Sequence, residues 1–310
     1  MGKCAYVFPG QGSQSVGMGR AIAETNDLAR DVFKEADNVL SYRLSDLCFN
    51  GPESDLRLTE NTQPAILTTS VALWKAFSTR APEPDFVAGH SLGEYSALVA
   101  AGVFTFADAV RTVRARGQFM EDAVPAGTGS MAAVLGMERE ALEELCREIS
   151  AQHGTVELAN LNCPGQIVIS GTRAGVEAAV KQAKTAGARR AMPLAVSGPF
   201  HSSLMAPAGE RLKDVLNEVD IQAARVPVVA NVSARPLHHK EEIKQALVRQ
   251  VASPVLWEDS VRWMLEQGVD TFVEIGPGRV LSGLIRKIDR RVAVYNVEDP
   301  ESLEKTLSSL

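Results

Sequence analysis

Residues 86–101 pass from an apolar run, Phe86-Val87-Ala88, through Gly89-His90-Ser91-Leu92-Gly93 into a helical pattern from Glu94 to Ala101, which stops at Gly102. Strand, sharp turn, helix is the layered grammar of an α/β protein, and it narrows what the rest of the chain can build. The turn has the GxSxG form of a nucleophile elbow. Its glycines permit close backbone approach, the turn pushes the Ser91 hydroxyl out of the sheet, and the following helix N-terminus offers N–H groups to a developing oxyanion. Glycine-rich strand-to-helix turns are also common structural joints, so the flanking order carries the reading.

The same alternation runs through the chain. The N-terminal stretch 1–9, with its apolar run at 5–8, and the apolar runs at 86–89, 228–231, 271–274 and 292–296 read as strands; 21–40, 65–77, 95–101, 206–218, 241–251 and the stretch from Val280 read as helices. That rhythm predicts a mostly parallel sheet. It is interrupted after Val124-Pro125-Ala126-Gly127-Thr128-Gly129, where strand 130–135, helix 139–149, strands 156–161 and 166–170, helix 174–186 and strand 188–195 follow in the order βαββαβ. This is the ferredoxin-like arrangement. The expectation is a discontinuous catalytic domain, 1–125 and 196–310, carrying a small ferredoxin-like subdomain at 126–195.

Composition removes several functions. With 310 residues, 45% hydrophobic, the chain can bury a large core, and 32 basic against 38 acidic side chains leave a net charge of −6, so no broad surface suits a phosphate backbone. Nucleic acid is excluded as a partner. Cys4, Cys48, Cys146 and Cys163 are scattered, with no CxxC pair and no metal spacing, and read as reduced cytosolic thiols. No apolar stretch approaches the ~20 residues of a membrane span, and the N-terminus lacks the apolar run of a signal peptide. The expectation is a soluble cytoplasmic protein, a monomer, with no metal.

A serine nucleophile needs a base, and five histidines are available: His90, His153, His201, His238 and His239. His90 adjoins Ser91 and points elsewhere at such a turn. His153 falls in a polar helix-to-strand loop, and His238-His239 precede a charged segment. His201, in Ser197-Gly198-Pro199-Phe200-His201-Ser202, is left as the base, the alternative being a structural loop histidine. No carboxylate between them suggests a third triad member. A dyad oriented by a backbone carbonyl fits better.

Two other segments bear on chemistry. Phe8-Pro9-Gly10-Gln11-Gly12-Ser13-Gln14 looks like a phosphate loop but lacks the third glycine of GxGxxG, and a backbone N–H near Gln11 is a better second oxyanion donor beside that of Leu92. Arg116 falls close to the apolar side of a helix bearing Ala109, Val110, Val113 and Met120. A buried arginine needs an anion, either a bound carboxylate or a structural ion-pair partner.

Together Gly10-Gln11-Gly12-Ser13-Gln14, Gly89-His90-Ser91-Leu92-Gly93-Glu94, Arg116-Gly117 with Met120, Gly198-Pro199-Phe200-His201 and Glu274-Ile275-Gly276-Pro277-Gly278 resemble the malonyl-CoA:acyl carrier protein transacylase family of bacterial type II fatty acid synthesis. The resemblance implies an α/β-hydrolase-like core with a ferredoxin-like insertion. It implies a nucleophilic Ser91, a His201 base oriented by a backbone carbonyl near Gln250, and oxyanion donors from Gln11 and Leu92. Arg116 would bind the malonyl carboxylate, with Gln63, Asn160 and Asn162 lining the pocket and Phe200 in the malonyl-selecting version of its motif. The implied reaction is ping-pong transfer of malonyl from malonyl-CoA to the phosphopantetheine thiol of acyl carrier protein, without metal or redox cofactor. The rival readings are a serine esterase or thioesterase with the same dyad, for which Arg116 has no use, and a non-catalytic acyl-CoA-sensing or carrier-docking protein, against which Ser91 and His201 together argue.

Overall fold

The protein is seen as a computed structural model describing residues 2–310; Met1, included in the expected first strand, lies outside the described residues. The strands are β1 (Lys3–Phe8), β2 (Phe86–Gly89), β3 (Gly129–Leu135), β4 (Val156–Cys163), β5 (Gln166–Thr172), β6 (Arg190–Pro193), β7 (Val228–Val229), β8 (Pro236–Leu237), β9 (Val269–Ile275) and β10 (Ala293–Val297). They form a six-stranded sheet ordered β10-β9-β1-β2-β7-β8 and a separate four-stranded sheet ordered β4-β5-β3-β6. In the larger sheet every pairing is parallel except β7 with β8. The smaller sheet is antiparallel throughout.

β1 sits between β9 and β2, and Ala5, Tyr6, Val7 and Phe8 are each exposed by 1% or less. Ala5 and Val7 pack with Trp257 and Phe272 on one face, while Tyr6 and Phe8 pack among Leu73 and Tyr95 on the other. A parallel strand covered on both faces has no solvent side, which is why its sequence is an unbroken apolar run. The smaller sheet has its own core, in which Leu142, Leu145 and Ile149 of helix Arg139–His153 meet Val134, Val156 and Ile169.

Several boundaries differ from the sequence reading. The helix expected over 21–40 is two helices, Arg20–Thr25 and Asp27–Leu40, because Asn26 adopts an extended conformation and its side chain accepts from the Ala29 N–H at 3.1 Å as an N-cap. The helix expected at 65–77 starts at Thr59 and contains Pro64. Pro64 has no N–H for the Glu60 carbonyl, and Arg114 Nη1 donates to that carbonyl instead at 2.8 Å. The strand expected at 228–231 ends at Val229, and that at 188–195 shrinks to β6. Helices Leu44–Asn50, Trp257–Glu266 and Pro300–Leu307 were not expected, although Trp257, Val261 and Met264 recur at helical spacing and are all buried.

The larger sheet delivers three site segments from the carboxyl ends of adjacent strands: Pro9–Gln14 after β1, His90–Leu92 after β2, and Ala230–Asn231 after β7. Ligands of parallel α/β sheets bind at this edge. The smaller sheet is hooked to it by β4, where Leu161 N–H donates to Val255 O at 2.9 Å and Val255 N–H to Ala159 O at 2.8 Å. β4 also carries a bulge between Leu158 and Asn160, which turns Asn160 toward the same edge.

Candidate active site

The elbow is tight because Gly93 allows it. A Cβ on Gly93 would stand 2.0 Å from the Phe8 carbonyl oxygen, so any side chain would push helix Gly93–Ala100 off β1. Within the turn Ser91 takes a left-handed backbone, φ 51°, held by Asn231: its Oδ1 accepts from Ser91 N–H at 2.7 Å and its Nδ2 donates to Gly89 O at 2.6 Å. Left-handed backbone is costly for a residue with a side chain and persists where neighbours over-determine it.

Ser91 Oγ lies 2.7 Å from His201 Nε2, and His201 Nδ1 lies 2.9 Å from the Gln250 backbone oxygen. A carbonyl can only accept, so Nδ1 carries the proton and Nε2 presents its lone pair to the serine hydroxyl. Burial, and then the Arg116 cation, push the His201 pKa down to about 3 against the opposing pull of the Gln250 carbonyl. The imidazole is therefore a neutral base at physiological pH.

Arg116 is 1% exposed on helix Phe106–Asp122. Its Nη1 donates to Gln63 Oε1 at 2.7 Å, and its Nη2 to Gln250 Oε1 at 3.0 Å and Ser91 Oγ at 3.2 Å. Neighbouring Gly117 brings this helix against Thr59–Ser78: a Cβ there would stand 2.8 Å from Glu60 Cα. Among the described residues no carboxylate forms a salt bridge with Arg116, so the ion-pair alternative from the sequence is not what is seen; burial pushes its pKa down. Its Nε has no hydrogen-bond partner among the described residues.

Gln11, His90, Ser91, Arg116, Asn160 and His201, with an apolar wall of Met120, Met131, Leu194, Val196 and Phe200, enclose a cavity of about 120 Å³. Gln11, Leu194 and Val196 also line an outer cleft of about 430 Å³ leading to it. A larger cleft, about 540 Å³, touches His201 from beside Glu157 and Pro254 but is not lined by Ser91. Chemistry, not size, marks the small cavity. The backbone N–H groups of Gln11 and Leu92 have no hydrogen-bond acceptor among the described residues. Gln63 stands behind Arg116, and Asn162 Oδ1 accepts from His90 Nε2 at 2.8 Å, so both act on the cavity wall through a neighbour. His153, His238 and His239 are exposed and take no part.

Comparison with known proteins matches the acyl transferase domain family over residues 5–299. A malonyl CoA-acyl carrier protein transacylase of Bacillus subtilis (strain 168) is 54% identical over 310 residues, covering 100% of this chain and 98% of the relative. The chain belongs to the malonyl CoA-acyl carrier protein transacylase family. Within that family, the crystal structure of an acyl-carrier-protein S-malonyltransferase from Burkholderia pseudomallei superposes with a TM-score of 0.96 at 46% identity, covering 99% of each chain. A malonyl-transacylase solved in complex with its type II polyketide synthase acyl-carrier protein superposes with a TM-score of 0.97 at 44% identity, covering 99% of this chain and 100% of the other.

Two residues bonded into the surroundings of Ser91 have no assigned place in the sequence reading. Asn231 lies in a loop with no local signature, and only the meeting of β7 with β2 brings it under Ser91. Glu94 was visible as the residue after the elbow but read as a helix flank. It is 2% exposed, its Oε2 accepting from Asn231 N–H at 2.8 Å and Gln250 Nε2 at 3.1 Å.

Proposed function

We propose that the protein transfers malonyl from malonyl-CoA to the phosphopantetheine thiol of acyl carrier protein in fatty acid synthesis, by a ping-pong mechanism through a malonyl-Ser91 intermediate. The observation that carries this reading is the convergence of Ser91 Oγ, His201 Nε2 and Arg116 Nη2 on one cavity. His201 Nε2 takes the Ser91 proton as Oγ attacks the thioester carbonyl carbon. The Gln11 and Leu92 N–H groups receive the oxyanion, the carbon–sulfur bond breaks, and the departing thiolate takes the proton from His201. In the second half the carrier thiol gives its proton to His201 and its sulfur attacks the malonyl ester. Ser91 Oγ leaves and recovers the proton.

Arg116 is the anchor for the free carboxylate of the malonyl group, and Phe200 with Met120 and Met131 shapes the space around its methylene. Every step is supplied by these side chains and the two thiols, so we assign no metal or redox cofactor. The likeness to a transacylase in complex with a carrier protein supports the partner. We further infer an α/β-hydrolase-like catalytic domain, 1–125 and 196–310, with a ferredoxin-like insertion at 126–195; the βαββαβ element order and the strand order β4-β5-β3-β6 support it. No described helix is long and apolar enough to cross a membrane, and a cytoplasmic monomer remains our reading. The test is intact-mass measurement after incubation with malonyl-CoA. One malonyl group should appear on Ser91 and vanish in Ser91→Ala; normal labelling of that variant at another residue would sink the assignment.

A further inference from the structure

Two charged side chains are buried beside Ser91, and among the described residues neither has an ionic partner in direct contact. Arg116 is 1% exposed and Glu94 2%. A single residue stands between them. The Gln250 side chain, on the last turn of helix Lys240–Gln250, accepts from Arg116 Nη2 through Oε1 at 3.0 Å and donates through Nε2 to Glu94 Oε2 at 3.1 Å. Its orientation is not free to reverse. Guanidinium only donates, while Glu94 Oε2, the Ser91 carbonyl at 3.1 Å and Asn231 Oδ1 at 3.1 Å only accept, so a flipped amide would face like against like at both ends. The carboxamide dipole thus points from the carboxylate to the cation.

Isolated buried charges are costly, and a charge of each sign joined through one oriented amide relieves both. Glu274, another buried carboxylate, is accounted for separately by the N–H groups of Leu281 and Ser282. Among the described residues only Glu94 is left to balance Arg116. We propose that Glu94 is the resting counter-charge of Arg116, coupled to it through the Gln250 amide, and that an incoming acyl carboxylate competes with it for the cation. Glu94 is then a positioning residue, since it reaches the substrate only through Arg116. It divides the hold of Arg116 on the malonyl group, which keeps malonyl-Ser91 from being so stable that the second transfer stalls. This deepens the malonyl-transfer reading and rests on it.

The test is Glu94→Gln, which keeps size and an acceptor for Asn231 N–H but removes the charge. Malonyl loading should raise the melting temperature of the variant by more than it raises that of wild type, because the freed Arg116 holds the carboxylate alone, and acetyl loading should shift both by the same amount. KM for malonyl-CoA should fall by about threefold to tenfold together with kcat, while KM for acetyl-CoA stays unchanged. A role in packing alone would lower every melting temperature equally and leave KM unchanged or raised. Either result overturns the proposal. The free-enzyme cycle of Glu94→Gln, Arg116→Gln and the double variant needs no substrate: neutralising Glu94 should be less favourable to stability in wild type than once Arg116 is neutral, and equal effects in the two backgrounds overturn the counter-charge. If Glu94→Gln fails to fold, the double variant should fold, and its failure overturns the counter-charge. Absence of a malonyl adduct on wild-type Ser91 would instead sink the activity reading, leaving the cycle to report on the pair.

Discussion

Ser91 and His201 both adopt left-handed backbone conformations, φ 51° and φ 59°, and their side chains meet at 2.7 Å. Neither is a glycine. Each such residue costs on the order of 1–2 kcal/mol, so the contact is held by surroundings that over-determine it. For Ser91 the surroundings are Asn231 and Gly89; for His201 they include the Gln250 carbonyl.

Asn231→Ala should therefore release the elbow. It removes the acceptor of the part-buried Ser91 N–H and the donor to the buried Gly89 O, at up to about 1–3 kcal/mol for each group left unsatisfied. Malonylation of Ser91 should slow by at least tenfold with the melting temperature lowered. An unchanged labelling rate would mean that the turn holds itself.

Arg116→Ala should separate substrates. Losing a charge-assisted carboxylate contact in a buried cavity costs about 2–5 kcal/mol, roughly thirty-fold to several-thousand-fold in malonyl transfer. Acetyl transfer should lose much less, limited to the single bond from Nη2 to Ser91 Oγ, about 0.5–1.5 kcal/mol. Equal losses in a folded variant would refute a carboxylate anchor.

His201 should keep its catalytic state in mild acid. With its pKa pushed from 6.5 to about 3, the rate of Ser91 malonylation should stay flat from pH 8 to pH 5. A tenfold fall per pH unit below 6.5 would contradict this. The same displacement affects stability: between pH 3 and 6.5 the unfolded chain binds a proton on this histidine and the folded chain does not, so its contribution grows with pH and is complete above 6.5. Glu94 runs the other way. Burial raises its pKa from 4.5 to about 7, so the folded state holds the extra proton, and its contribution is full below pH 4.5 and lost as pH passes 7. His201→Gln should melt with less upward slope between pH 4 and 6.5 than wild type, measured by calorimetry at matched ionic strength.

Arg189 and Arg190 should matter to the second substrate only. Both are exposed, with Lys181 and Lys184, and β6 runs from Arg190 to Pro193, directly before the Leu194 and Val196 that line the cavity. On a chain of net charge −6, a local basic patch is what would steer an acidic carrier. Reversing both arginines to glutamate should slow transfer to the carrier at low salt and leave loading from malonyl-CoA intact. Equal transfer rates would remove this patch.

The sequence alone determined what local rules govern. A short apolar run specified a first strand, and a strand–GxSxG–helix succession specified the elbow, because backbone sterics within a few residues decide such turns. The βαββαβ rhythm between β3 and β6 was legible for the same reason. His201 was reached by eliminating four other histidines, and Arg116 by its place on an apolar helix face. What those groups touch was decided by tertiary structure. Arg116 faces Gln63 because Gly117 lets two helices close on each other, and Asn231 supports Ser91 because β7 pairs with β2 some 140 residues later in the chain. Glu94 is tied to Arg116 through Gln250, whose backbone carbonyl accepts from His201 Nδ1 while its side chain spans two buried charged groups. Hydrogen bonds and charge balance depend on distance in space, and no periodicity in the chain encodes which distant partner will satisfy a buried group.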